Sequence, residues 1–509
     1  MLRRVLHAAN AIVLGHTIVR LGSLVLVPLF LRYWSASLYG EYLTLFAAVS
    51  YLAGLDVGMQ QAAVNRLTQA YAKKDFAEYR RVQHTALAFY LVLATGITLV
   101  AAGLAWFLPV QHWIGLRSTK PAIASLVMIL LATYVMWGMP MRLITAIYQT
   151  MGNLARSQWI ANTQQVLVVV LSALVLVAGG GMLSIALLQL LTVGLTLLFV
   201  LIDVRLRFPA LFPGLTQGKL SVLKNLVHPS MLFALLLAGN LIAYQGSILL
   251  VSAVLGGVAV VVLSLSKSII DVIRQGLYSI SLALCPDFAR MEALGELDKL
   301  RMVHRLTVAV TATATLAIVA VIWYEGPQML TVWTRGRIQP DVVLLRLFLV
   351  LLALQTPWAA SSTVATATNR HHVQAVGYFI AAVAGITTAA ALIHQLGAWA
   401  IPLGLIFGEA IGCYHFVIKA TCQIIGESYA GFALRFWIGF GVVAAAVLTV
   451  AWLIHSAMPG PMLVRWMVMS LSTTAIATAA AWIVWLTPED RTLLRPKLRP
   501  MLRLSEAKL

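Results

Sequence analysis

Long apolar stretches recur along the whole chain and are separated by short polar or basic connections. A helix needs about 20 apolar residues to cross a bilayer, because its backbone polar groups must be bonded inside the segment. The pattern therefore predicts an all-α polytopic membrane protein with about fourteen transmembrane helices. The predicted spans are 11–33, 42–64, 85–109, 122–147, 159–178, 182–202, 230–255, 258–284, 306–324, 343–366, 373–393, 399–421, 434–455 and 462–486.

The composition supports this class and excludes others. Of 509 residues, 61% are hydrophobic and 10% are charged, whereas a soluble protein carries about 25% charged residues. These values exclude a water-soluble enzyme, a disordered chain and a disulfide scaffold. The three cysteines have no paired spacing, so we interpret them as small core residues, with no metal site and no disulfide.

Most of the net charge of +19 is explained by the lysines and arginines predicted to lie on the cytoplasmic side of the membrane. With the N-terminus inside, 25 of the 36 lysines and arginines fall on cytoplasmic segments and six fall on outer loops. By the positive-inside rule, this ratio predicts cytoplasmic N- and C-termini. The basic balance therefore does not predict a nucleic-acid partner. The basic tail, 487–509, is predicted to contact anionic membrane lipids.

A weak internal repeat with a period near 220 residues predicts a duplicated core. The connector that begins at Lys73 and the one that begins at Leu294 share an acid, two apolar residues, arginine and valine in step. Because six spans separate them, the two copies keep one orientation and form a parallel repeat. The predicted organisation is a six-helix lobe, a cytoplasmic linker, a second lobe, two additional helices and a basic tail: 1–203, 204–229, 230–425, 426–486 and 487–509.

Five charged side chains inside the spans are candidates for function. Lys267, Asp271 and Arg274 follow one another at helical spacing on one face of the eighth span. Lys267 lies ten residues after Gly257, about 15 Å along the helix and hence near the midplane. The other two are Arg20 in the first span and Asp56 in the second.

A charge near the bilayer centre costs at least about 2.5–3.5 kcal/mol, so these groups are expected to face a partner or a water-filled cavity. Three cations against two acids favour an anionic ligand such as a diphosphate. His16 shares a helix face with Arg20, and Gln60 follows Asp56, so both are further candidates for substrate binding. Glu409 has no partner visible in the sequence and is a candidate proton-coupling carboxylate. The alternative for Asp271 is that it only neutralises its two helix neighbours.

Several residues near the N-terminus resemble a known family. They are the segment Ser37-Leu38-Tyr39-Gly40-Glu41-Tyr42, the segment Leu55-Asp56-Val57-Gly58, and the basic connector from Arg66 to Arg81. This part of the chain resembles the Wzx-type polysaccharide and O-antigen flippases of the multidrug/oligosaccharidyl-lipid/polysaccharide (MOP) superfamily. The fourteen-span layout is similar to the lipid II flippase branch.

The resemblance implies two six-helix lobes around a V-shaped cavity lined by spans 1, 2, 7 and 8. It also implies alternating access, in which an undecaprenyl-diphosphate-linked oligosaccharide moves from the inner to the outer leaflet of the bacterial inner membrane. Arg20, Lys267 and Arg274 would bind the diphosphate, and Asp56 and Asp271 would hold these cations between substrates. No catalytic residue and no cofactor is expected, although transport could be coupled to H⁺ or Na⁺. A polysaccharide polymerase and glycosyltransferases are candidate partners.

Two other functions stay open. A cation-coupled multidrug exporter of the same superfamily would favour an acidic or aromatic cavity over one with a positive balance. A membrane glycosyltransferase or O-antigen polymerase would need a substantial catalytic outer loop, whereas the longest predicted outer loop is only 325–342. The sequence also has no Walker A stretch, so ATP hydrolysis is not expected.

Overall fold

The computed structural model describes Gly22, residues 24–56, 58–227, 231–368 and 370–485, and Arg491. Within these residues every regular element is helical, which confirms the predicted all-α fold class. The chain divides into two compact units. Unit 1 extends to Ser264 and includes Trp333–Ile338 and Ile393–Ala398, and unit 2 contains Leu265–Val332, Gln339–Leu392 and the chain from Trp399 onward. The predicted lobe boundary at 204–229 stays a prediction.

In unit 1, α4 packs against α6, and α6 packs against α9. Their packing forms an apolar core around Tyr79, Tyr90 and Met136, all three of which are fully buried. The Asp75 carboxylate accepts a hydrogen bond from the Glu78 amide at 2.9 Å and thereby caps α4. The helices are α1 (Leu24–Tyr33), α2 (Ala36–Ser50), α3 (Met59–Ala72), α4 (Phe76–Phe107), α5 (Val110–Trp113), α6 (Pro121–Thr145), α7 (Ile147–Thr150), α8 (Leu154–Val177), α9 (Met182–Arg207), α10 (Leu220–Val227), α11 (Met231–Leu241) and α12 (Ser247–Leu255).

The helices of unit 2 follow from α13, whose residues up to Ser264 belong to unit 1. Within unit 2, α16 packs against α14, α18 and α19, and α20 packs against α21. A small core of Phe288, Leu300, Val364 and Ile425 lies among them. The helices are α13 (Gly257–Ala283), α14 (Cys285–Ala293), α15 (Leu297–Trp333), α16 (Val342–Ala367), α17 (His372–Leu396), α18 (Ala400–Gly412), α19 (Phe416–Ile425), α20 (Tyr429–Ala457) and α21 (Met462–Val484).

The described residues contain eleven helices that are long and apolar enough to cross a membrane, judged by length and composition. Fourteen spans therefore stay a prediction. Helix α13 is long enough to cross a membrane, but it is not among the eleven because it carries three charged residues in its middle. The predicted spans 373–393 and 399–421 merge into the single stretch His372–Ile425. The first half of the first predicted span, residues 11–21, lies outside the described part of the chain.

Within unit 2, a buried carboxylate fastens the two additional helices, α20 and α21, to α15. The Glu325 side chain on α15 is almost fully buried and pairs with His455 at 2.7 Å and with Arg465 at 2.6 Å. The indole of Trp466 donates a third bond at 3.2 Å. A buried carboxylate needs such partners to offset its lost hydration, so these contacts fix both helices against α15.

The segment from Ser37 to Tyr42, at the start of α2, contacts two other parts of unit 1. The Glu41 carboxylate accepts backbone hydrogen bonds from Arg117, Ser118 and Thr119 at 2.6–2.9 Å. At the preceding position, a Cβ placed on Gly40 would overlap the backbone of Gly257. Glycine is therefore required here by the close approach of two backbones, and not by an unusual backbone angle.

We predict that Gly40→Ala destabilises the protein, because the added methyl group must push two backbones apart. Overpacking of this kind typically costs about 1–3 kcal/mol. The measurement is the thermal unfolding midpoint of the purified protein in detergent. Gly103→Ala in α4 is the matched control, since nothing lies within 4 Å of a Cβ at that position. Equal midpoints for the two variants would contradict the close approach.

Candidate functional site

The predicted second span is interrupted beside Asp56. Helix α2 ends at Ser50, a 3-10 segment covers Tyr51–Asp56, and α3 begins only at Met59. Gly58 lies in the left-handed region with φ 71°, which an L side chain adopts only with strain. The single predicted helix 42–64 is therefore wrong in this detail. The interruption leaves Asp56 beside irregular backbone, an arrangement found at substrate and ion sites of transporters.

A second irregularity lies next to the first one within unit 1. Between α11 and α12 the chain forms a π-helical turn, Ile242–Gly246, and such turns occur frequently at functional sites. Helix α11 packs against the 3-10 segment, and the π turn packs against α2. At the contact, a Cβ on Gly54 would come within 2.9 Å of Leu241 Cδ1. The second and seventh predicted spans thus meet where both depart from regular α-helix.

The structure brings Asp56 together with Gln60 and adds a partner that the sequence did not reveal. The hydroxyl of Tyr90 on α4 donates a hydrogen bond to Asp56 Oδ1. The backbone amide of Gln60 donates to the same oxygen at 3.3 Å. Arg142 on α6 is an electrostatic neighbour of Tyr90. Asp56 is therefore a partnered, half-buried carboxylate, and Gln60 contributes through its backbone.

In unit 2 the three charged residues of α13 lie together as their spacing predicts. Arg274 pairs with Asp271 at 3.3 Å, and both side chains stay partly exposed. Lys267 is 7% exposed and has Asp271 and Arg274 as its electrostatic neighbours. Lys267, the most deeply buried of the three, is thus followed by Asp271 one turn further along the helix and by Arg274 two turns further.

Glu409 joins this group and has hydrogen-bond partners that are not visible in the sequence. Its side chain on α18 is 4% exposed and accepts hydrogen bonds from Gln355 Nε2 and from Trp358 Nε1, the latter at 3.0 Å. Arg274 acts electrostatically on the same carboxylate. The partly buried Tyr378 has both Arg274 and Glu409 as electrostatic neighbours. Sequence reasoning missed the two hydrogen-bond donors because they lie 54 and 51 residues away on α16.

Glu409 also changes the charge balance of the site. The charged group on unit 2 now holds two cations, Lys267 and Arg274, and two carboxyl groups, Asp271 and Glu409. It is neutral when Glu409 is ionised and carries a net positive charge when Glu409 is neutral. The other predicted site residues, Arg20 and His16, lie outside the described residues.

The fold is similar to that of solved structures of transporters, two of which are described as members of the MOP superfamily. The chain is similar to the lipid II flippase MurJ in an inward closed conformation, with a TM-score of 0.70 and 10% identity over 93% of this chain and 98% of that one. It is also similar to an inward-facing multidrug resistance MATE family transporter of the MOP superfamily, with a TM-score of 0.60 and 17% identity over 80% of this chain and 96% of that one.

A third similar structure is a MOP superfamily transporter from Pyrococcus furiosus, with a TM-score of 0.58 and 16% identity over 84% of this chain and 96% of that one. No family model matches the sequence, and no curated protein matches it. The likeness is therefore one of fold, and the choice between flippase and exporter rests on the residues of this chain.

We predict that Glu409→Leu is more destabilising than Glu409→Gln. Leucine leaves the donors on Gln355 and Trp358 unsatisfied, and each hydrogen bond to a charged group contributes about 1.5–3 kcal/mol. Glutamine keeps an acceptor oxygen at nearly the same place. Thermal unfolding midpoints of both variants against the unmodified protein are the measurement. A leucine variant as stable as the glutamine variant would show that Glu409 does not hold these donors.

Proposed function

We propose that this chain is a flippase of the MOP type that moves an undecaprenyl-diphosphate-linked oligosaccharide from the inner to the outer leaflet by alternating access. The observation that carries the proposal is the buried cation Lys267 followed on the same helix by Arg274. A lipid-linked diphosphate brings its negative charge to membrane depth, where two such cations offset its desolvation. Arg20 is a third proposed ligand.

Coupling to an ion follows from the carboxyl group beside Arg274. When Glu409 takes up a proton or Na⁺, its charge no longer opposes that of Arg274, and the group on unit 2 gains one positive charge. A diphosphate then binds more tightly. Loss of the ion restores the neutral state and favours release. Asp56, held by Tyr90 in unit 1, is the second proposed coupling carboxylate, and H⁺ and Na⁺ are the two candidate ions.

A cation-coupled multidrug exporter is the second candidate function, and the same two carboxyl groups favour it. Ionised Asp56 and Glu409 would attract an organic cation as readily as they would bind a proton. The similarity in fold to a MATE family transporter is compatible with this function. What distinguishes the two functions is Lys267, because a buried ammonium group repels a cationic drug.

The proposed location is the inner membrane of a bacterium, with both termini in the cytoplasm. The distribution of lysine and arginine supports this orientation. In this setting the substrate would come from glycosyltransferases on the cytoplasmic side and pass to a polysaccharide polymerase outside. Both are proposed partners.

We predict that Lys267→Ala, Arg274→Ala and Arg20→Ala each abolish surface polysaccharide in a host that depends on this protein. Each variant removes a cation proposed to bind the diphosphate and leaves the protein abundant in the membrane. The measurements are polysaccharide staining and a membrane immunoblot. Lys299→Ala is the control, because Lys299 pairs with Glu296 at 2.9 Å on an exposed surface outside the charged group.

Normal polysaccharide from all three variants would contradict the diphosphate site. Efflux of a cationic dye from the same cells separates the two candidate functions. A flippase gives no dye efflux above the empty host, whereas an exporter gives efflux that increases in Lys267→Ala.

We predict that Glu409→Gln and Asp56→Asn uncouple transport from the driving ion. Both substitutions keep the shape of the side chain and remove the carboxylate charge that H⁺ or Na⁺ would neutralise. In proteoliposomes that carry the lipid-linked substrate, flipping by the unmodified protein should rise when a pH or Na⁺ gradient is imposed. Flipping by the two variants should not respond to either gradient. A variant with an unchanged response would remove that residue from the coupling mechanism.

A further inference from the structure

One end of unit 2 contains a basic and aromatic cavity that the transport proposal does not use. It has a volume of about 210 Å³ and lies between the first turns of α20, the beginning of α15 and the residue that follows α21. The charged residues that line it are Arg305, Arg435 and Glu427. The cavity is separate from the group around Lys267, since none of those residues lines it.

The charges of this cavity are predominantly positive. Arg305 pairs with Glu427 at 3.3 Å, and Arg301 and Arg435 also act electrostatically on that one carboxylate. Arg435 is exposed and makes no hydrogen bond or ion pair with the residues that the structure describes. The first turn of α20 adds the positive end of a 29-residue helix. The cavity therefore favours an anion.

One oxygen of the Glu427 carboxylate lacks a hydrogen-bond partner among the described residues. This oxygen, Oε2, is buried. Burial raises the pKa of the Glu427 carboxyl, against the effect of the three arginines. A buried oxygen without a partner is costly, so a ligand that brings a hydroxyl group would relieve that cost.

The apolar part of the cavity is rigid and continues along α20. The rings of Phe432 and Phe436 are stacked, and Trp485 stacks on Phe436 at 5.5 Å with an angle of 2°. Beyond Arg435, the exposed side chains Ile438 and Val442 follow at spacings of three and four residues. One helix face therefore presents a cation followed by an apolar strip.

We propose that this cavity binds the headgroup of an anionic phospholipid of the phosphatidylglycerol type. Its phosphodiester would contact Arg435 and Arg305, a headgroup hydroxyl would donate to Glu427, and an acyl chain would lie along Ile438 and Val442. Basic cavities between helices at the cytoplasmic side are suited to such headgroups. The bound lipid would join α20 and α21 to the start of α15, whatever substrate the protein transports.

The test uses the full-length protein, delipidated in detergent and then supplied with phosphatidylglycerol. Native mass spectrometry counts the bound lipid, and the thermal unfolding midpoint reports its effect. We expect the unmodified protein to bind phosphatidylglycerol and to gain stability from it. Arg435→Gln should bind about fivefold more weakly, as the loss of one arginine near a lipid phosphate implies.

Two further variants keep the test informative even if Arg435→Gln folds poorly. Glu427→Gln removes the one carboxylate among the described residues that line the cavity, and this variant should bind phosphatidylglycerol more tightly, a result that misfolding cannot produce. Arg290→Gln, at an exposed arginine on α14, should behave as the unmodified protein.

Equal binding by the unmodified protein and Arg435→Gln would overturn the proposal. An equal shift of the midpoint with inorganic phosphate would show a site for free phosphate, and an equal shift with phosphatidylcholine or phosphatidylethanolamine would show no preference for an anionic lipid. Either result would also overturn it.

Discussion

The cost of placing ionisable side chains among membrane helices is the constraint on which the structure depends. Among the described residues, three carboxylates show how hydrogen bonds and ion pairs offset that cost. Glu325 is held by His455, Arg465 and Trp466, and in this way it attaches the last two helices. Asp56 is held by Tyr90, and Glu409 by Gln355 and Trp358. The first of these arrangements fastens helices together, whereas the other two lie beside groups suited to transport.

The difference between a fastening and a site lies in what surrounds the carboxylate. Around Glu325 the partners His455 and Arg465 come from the two helices that it holds, and Arg465 supplies the opposite charge. Around Glu409 the neighbouring cation is Arg274, which also pairs with Asp271. A change of charge at Glu409 therefore alters how strongly that cation is neutralised. This dependence is what connects an ion to an anionic substrate in the proposed mechanism.

The fold class could be predicted from the sequence because hydropathy alone reports which segments avoid water. The shared helix face of Lys267, Asp271 and Arg274 on α13 could also be predicted, since residues four and seven apart lie on one side of a helix. The interruption at Tyr51–Asp56 could not, because its glycines also occur within regular membrane helices. The partners of Glu409 were hidden for a different reason. They lie on another helix, about fifty residues away, and single-sequence reasoning has no measure of such contacts.

In the proposed mechanism, Lys267 and Arg274 form the site for a lipid-linked diphosphate. The most direct measurement is equilibrium binding of undecaprenyl diphosphate to the purified protein, compared with binding of tetraphenylphosphonium as a model organic cation. We expect that the diphosphate binds, that the cation does not, and that Lys267→Ala loses the diphosphate. Binding of the cation in place of the diphosphate, or full retention of the diphosphate by Lys267→Ala, would contradict this mechanism.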